Sequence, residues 1–222
     1  DKSLTIPLAS LAMETTDDGS RTGSAHNARS SLLPVPVPAI FVYGPNGRSG
    51  DPLGYLSKGY VGGQYYFTTD CNQAMKDAKL VSGDLINPAE SNGYLNVGLV
   101  PDTDPPNIGT RSSRIGFLTG TVATPKGPPV KSEYTSRMEG IDWPMESNIW
   151  SLSANNELLL TWINSNGDPV PLDITYLENA ANSIAVTGSI SETRENYDEG
   201  GNPLPLIRFF IAAQHTCSMA PI

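Results

Sequence analysis

Glu133, Glu139 and Glu157 are the carboxylates whose placement suits chemistry on a sugar. Cleaving a glycosidic bond takes two such groups roughly 5–10 Å apart across the scissile bond. Glu133 and Glu139 fall on one face of a predicted strand, Val130–Glu139, where six residues at the strand rise separate them by about 20 Å. A working pair must then come from different strands, Glu157 with Glu133 or with Glu139. The competing reading makes all three solvent-facing rim acids. Aromatic side chains offer a second kind of chemistry. Tyr55, Tyr60, Tyr65, Tyr66, Trp143 and Trp150 carry flat apolar faces with a polar edge, suited to stacking on a sugar ring. Two of them are the expected ligand contacts: Tyr65, in the aromatic run Tyr60–Phe67, and Trp143, placed on a loop by the turn-like Gly140–Pro144. Core packing is the expectation for the rest.

Other catalytic constellations fail on residue supply. His26 and His215 are the only histidines, and zinc or copper sites usually draw on two or three imidazoles. Asn164-x-Asn166-x-Asp168 and Asp102-x-Asp104 have the alternate oxygens of a calcium loop. The first reads more simply as a hairpin turn, because Asn-Gly supplies left-handed backbone, and the second as a surface turn. No Gly-x-Ser-x-Gly and no phosphate-cradling glycine loop occurs. The sequence therefore predicts no metal and no cofactor. Cys71 and Cys217 stand without a Cys-x-x-Cys motif. In an oxidising compartment they would pair, closing a loop worth roughly 4–5 kcal/mol in the chain-entropy account.

Composition narrows the partners. The chain has 222 residues and a net charge of −9, which disfavours phosphate backbones, so no nucleic acid is expected. No apolar run reaches the ~18 residues of a membrane span. The sequence opens on Asp1 without a signal-like apolar segment, as a mature secreted protein would, although no asparagine sits in an Asn-x-Ser/Thr sequon.

The elements that must position these groups are strands. Gly (21) and Pro (19) punctuate short runs of β-branched and aromatic residues. From Asn148 onward, segments of five to eight residues alternate with Asn/Gly loops, the pattern of consecutive hairpins. No strand–helix alternation appears, so a parallel sheet is not expected. The predicted fold is all-β: an antiparallel sandwich, jelly-roll-like, of about 9–11 strands with at most one or two short helices; a closed barrel is the second choice. The one helix candidate is Asn72–Leu80, with Asp70 as N-cap. Glu157–Ile163 is apolar on both faces and reads as a central strand covered on both sides. Arg208, alone among apolar neighbours, is solvent-facing by alternation or else a pair partner. Residues 40–222 form the domain. Residues 1–39 form an arm in which Leu4, Ile6 and Leu8 make a short apolar strand, tethered by a Pro34–Pro38 connector expected as polyproline II. The arm strand either docks on its own domain or adds to the sheet edge of a second copy.

Trp150-Ser151-Leu152, Asn156-Glu157-Leu158, Thr161-Trp162, Asn166-Gly167-Asp168 and the run from Pro205 to Phe210 resemble small secreted β-rich proteins of filamentous fungi, over roughly half of the chain. That resemblance implies secretion and a β fold, and it assigns no catalytic residue. The functional expectation is a secreted, extracellular binding or structural protein that self-assembles through Leu4, Ile6 and Leu8 or recognises a glycan. The alternative is a carbohydrate-active hydrolase with carboxylates from different strands.

Overall fold

The structure is a computed structural model that describes residues 35–196 and 204–211, with side chains from residue 39 onward. Leu4, Ile6, Leu8, both histidines and Cys217 lie outside the described residues, so the arm and the Cys71–Cys217 pairing fall there too.

Fifteen strands run through the described residues, more than the nine to eleven expected, because β-rich stretches break into short strands of as few as three residues. They are β1 (Val35–Tyr43), β2 (Gly54–Val61), β3 (Gln64–Thr68), β4 (Lys76–Val81), β5 (Asp84–Ile86), β6 (Asn96–Pro101), β7 (Ile115–Thr121), β8 (Val130–Ser132), β9 (Trp143–Met145), β10 (Trp150–Leu152), β11 (Glu157–Ile163), β12 (Pro169–Pro171), β13 (Asp173–Leu177), β14 (Ser183–Thr187) and β15 (Arg208–Ile211). Every pairing between them is antiparallel. The all-β expectation holds, with α1 (Ile190–Asn196) the single α-helix among the described residues.

The main sheet closes on itself instead of separating into two facing sheets. Its strands run β10-β11-β15-β1-β2-β3-β14-β7-β6-β5-β4, and β1 pairs with β4 as well as with β2. The eight strands from β1 round to β4 make a closed barrel. A barrel of eight strands is narrow enough for side chains to fill. Leu56, Tyr65, Leu85, Val97, Leu99, Leu118, Ile184 and Val186 do so, all fully buried. Strand β1 shows the period of two: Ile40 and Val42 join that core, while Phe41 and Tyr43 pack outside with Tyr55 and Phe210.

Three local expectations are corrected. Strand β1 starts at Val35, inside the stretch expected as a polyproline connector. Among the described residues, 35–39 pair with β4 alone, and a strand with one described partner leaves backbone positions at which proline is tolerated. The predicted helix Asn72–Leu80 is a 3-10 turn, Cys71–Gln73, followed by β4. Asp70 does cap it, accepting from the Asn72 N–H at 2.8 Å. Beyond that turn, ladder bonds to β1 and β5 outweigh a weak helical pattern. Strand β11 buries Leu158, Leu160 and Trp162 on one face only, and Leu159 on the other is 42% exposed.

Candidate functional site

The 133–142 loop between β8 and β9 carries exposed side chains on a fixed backbone. The β2–β3 hairpin turns through Gly62 and Gly63, both at positive φ, the chemistry of a two-residue hairpin turn. Gly63 also lets the loop come close: a Cβ there would run into the Ser136 carbonyl oxygen and lie 2.6 Å from the Arg137 Cα. Ser136 Oγ donates to the Gly63 carbonyl at 2.6 Å and accepts from the Gly120 N–H at 2.8 Å, and the Ser136 N–H donates to the Gly120 carbonyl at 2.9 Å. The Arg137 guanidinium lies 3.9 Å from the centre of the Phe117 ring, a cation–π contact. At the far end, Trp143 Nε1 donates to the Pro101 carbonyl at 2.8 Å.

From this anchored loop Tyr134 projects with 61% exposure, and Ile141 is exposed as well. Tyr94 lies within electrostatic reach of Tyr134 and Glu139, and its hydroxyl donates to Glu139 Oε1 at 3.3 Å. Desolvation, then the Glu139 carboxylate, push the Tyr94 phenol upward, so it stays a donor at neutral pH. Behind it runs a buried chain. Tyr60 Oη donates to the Tyr94 carbonyl at 3.2 Å, Tyr65 Oη donates to Tyr60 Oη at 3.4 Å, and Asn87 Nδ2 donates to Tyr65 Oη at 3.3 Å. Burial raises the Tyr60 phenol strongly, with Tyr65 and Glu90 adding to it, and raises Tyr65 to about 12.

The residues predicted from sequence land as follows. Tyr65 is fully buried, so its ring packs the barrel and presents nothing to a ligand; it supports Tyr60 instead. Trp143 is half-buried and its indole N–H is spent on Pro101. The expected strand Val130–Glu139 ends at Ser132. The Glu133 carbonyl accepts from the Gly140 N–H at 3.1 Å, so the chain folds back and Glu133 and Glu139 share one loop rather than lying 20 Å apart along a strand. Both are exposed. Glu157 lies elsewhere, on β11, ion-paired to Arg208 Nη1 at 2.7 Å. With Asp173 and Arg208 it lines a cavity of about 80 Å³, room for a few waters only. Arg208 is thus a pair partner. The Asn164–Asp168 segment is a turn: the Gly167 N–H donates to the Asn164 carbonyl, and the Asn164 side chain both accepts from and donates to the Ile108 backbone.

Three functional groups escape the sequence reading. Tyr94 and Tyr134 are one; a lone tyrosine in the polar run Lys131–Ser136 is the signal for an exposed ring. Glu90 beside Tyr60 is another. Glu146 is the third and differs in kind, being fully buried. Its backbone bonds β6 in both directions, Leu99 N–H to the Glu146 carbonyl at 2.8 Å and Glu146 N–H to the Leu99 carbonyl at 3.1 Å. Its Oε2 accepts from the Ile163 N–H at 3.2 Å, while Oε1 is buried with no hydrogen-bond partner among the described residues. Desolvation pushes this carboxyl up to about 8, offset in part by the Ile163 and Gly127 backbone.

No known protein family, no curated protein and no solved structure matches this chain.

Proposed function

We propose that this chain is a secreted, extracellular binding or structural protein that holds carbohydrate on the Tyr94–Tyr134 face without chemically altering it. The observation that carries this reading is Tyr134, a large ring 61% exposed on a loop anchored at Gly63, Gly120 and Pro101. An aromatic ring on an anchored backbone offers a sugar a flat apolar face and has only two side-chain torsions to fix when the sugar stacks on it. Glu133 and Glu139 supply acceptors for sugar hydroxyls at the same loop. On a glycan array the protein should retain one class of glycan. Tyr134→Ala should weaken that binding about tenfold or more, since a stacked aromatic contributes on the order of 1–2 kcal/mol. An array with no glycan retained, or retention unchanged in Tyr134→Ala, would remove the proposal.

The hydrolase reading gains one specific observation, that Glu133 and Glu139 share one loop. Their exposure argues against it, because a general acid needs an environment that keeps it protonated at working pH. Release of reducing ends from a polysaccharide, lost in Glu133→Gln, Glu139→Gln or Glu157→Gln, would replace binding by catalysis.

Self-assembly through Leu4, Ile6 and Leu8 is a separate proposal, motivated by an alternating apolar segment too short to fold alone. Deleting residues 1–12 should convert an oligomer to monomers in a solution mass measurement. A monomer before and after deletion would exclude it. Secretion carries the Cys71–Cys217 disulfide with it, and two titratable thiols in denaturant without reductant would exclude that bridge.

A further inference from the structure

A cleft of about 380 Å³ opens between Lys58 of β2, the 3-10 turn after Asp70, the start of β4 and the loop that follows β5. Its size is that of a small-molecule site. Lys58, Asn72, Lys76 and Asp77 contribute polar groups to it, and Pro88 and Ala89 an apolar wall.

The backbone of this cleft is fixed at each segment. Asn87 is fully buried, and it ties two walls together: its Nδ2 donates to the Lys58 carbonyl at 2.8 Å and its Oδ1 accepts from the Ala89 N–H at 3.2 Å. Asp70 holds the Asn72 N–H. Ala74, on the floor, bridges Ser57, and Lys76 is in register with Ala39.

The lysine and aspartate side chains of the cleft have no ion-pair partner among the described residues. The ion pairs among the described residues are Lys131–Asp104 and Arg208–Glu157, so neither Lys58 nor Lys76 has an acidic partner there. The hydrogen-bond contact of Lys76 Nζ is Cys71 Sγ at 3.9 Å. Two exposed ammonium groups thus border one rigid cleft on a chain whose net charge is −9. Asp77, at a left-handed φ of 58°, adds a carboxylate within the same cleft without pairing to either lysine. Cations with an amide donor beside them suit a carboxylate, a lone acid beside them suits a hydroxyl, and Pro88 with Ala89 suits the C–H face of a ring.

We infer that this cleft binds a hydroxylated carboxylate the size of a single sugar acid, with Lys58 and Lys76 on its carboxylate and Asp77 accepting a hydroxyl. This site is distinct from the Tyr94–Tyr134 face and does not rest on it.

The test uses the full chain with galacturonate, galactose as its neutral counterpart, and sulfate as a bare anion. Galacturonate should shift the amide resonances of Lys58, Asn72 and Ala89 saturably and bind at least about tenfold tighter than galactose, given that two exposed ion pairs together supply about a decade. Sulfate should compete for it. The double variant Lys58→Gln/Lys76→Gln should lose about that tenfold, and Asp77→Asn should weaken galacturonate while sparing sulfate. Equal affinity for galactose, shifts confined to other amides, or galacturonate binding that survives the double lysine variant would each overturn the inference.

Discussion

Glu146→Gln should flatten the dependence of thermal stability on pH between about pH 5 and pH 9, the range bracketed by the carboxyl's ordinary 4.5 and its folded value of about 8. In the unfolded chain the group releases its proton near 4.5, whereas in the fold it holds the proton to about 8. Below the lower value both states are protonated and the carboxyl is neutral toward stability. Between the two, the native state binds a proton that the unfolded state has lost, so stability falls as pH rises. Above about 8 a bare carboxylate is buried at Oε1, and the full penalty, on the order of a few kcal/mol, is present. Glutamine keeps an acceptor for the Ile163 N–H and carries no charge, although it leaves a buried amide donor unpaired. The variant should therefore match or fall slightly below the parent at pH 5 and exceed it by roughly 5–10 °C in Tm at pH 9. Parallel Tm curves for the two proteins across that range would show that Glu146 does not titrate in the fold.

Gly63→Ala should destabilise the protein by about 3 kcal/mol and abolish glycan retention together. Two costs add. Alanine at a φ of 76° costs about 1–2 kcal/mol, and its methyl group would occupy the position of the Ser136 carbonyl oxygen, an overpacking that costs about 1–3 kcal/mol. The neighbour is backbone and has no rotamer to give. Relief comes only by lifting the 133–142 loop, which breaks the Ser136 bonds to Gly63 and Gly120 and displaces Tyr134. Gly62→Ala is the control: it shares the positive φ of 58° but meets nothing within 4 Å, so it should cost about 1 kcal/mol and retain binding. Equal losses in the two variants, measured by chemical denaturation, would show that backbone strain alone acts and that the loop contact is unimportant.

What the sequence made legible followed from local chemistry. Alternating apolar residues and Asn/Gly turns gave the antiparallel hairpins β10–β11–β12 and β13–β14, and Asn156 and Gly167 do take the left-handed conformations those turns need. Barrel closure was not legible, because it depends on β1 pairing with β4, β2 and β15 at once, and no local pattern records which strands meet. The missed helix α1 did leave a signature. Ser189 and Glu192 form a capping-box spacing, with the Glu192 N–H bonded to Ser189 Oγ at 3.4 Å, directly after the apolar strand β14. At the site, the error over Glu133 and Glu139 came from extending a strand through Glu133–Tyr134–Thr135–Ser136, where side chain-to-backbone bonds such as Thr135 Oγ1 accepting from the Met138 N–H favour a loop.

The pairing of β1 with β15 bears on the order in which the chain can fold. Tyr43 faces Arg208 and Ile40 faces Ile211, partners separated by almost the whole described sequence. Closing so large a loop carries a high entropic cost before any contact repays it, which places this fold among the slow ones. During synthesis from the N-terminus, β1 and its neighbour β2 are made well before the strand that covers Phe41 and Tyr43 with Phe210. Until then an apolar edge stands open, the kind of surface on which nascent chains associate wrongly. The outer aromatic cluster of this barrel is therefore left uncovered for as long as β15 is missing.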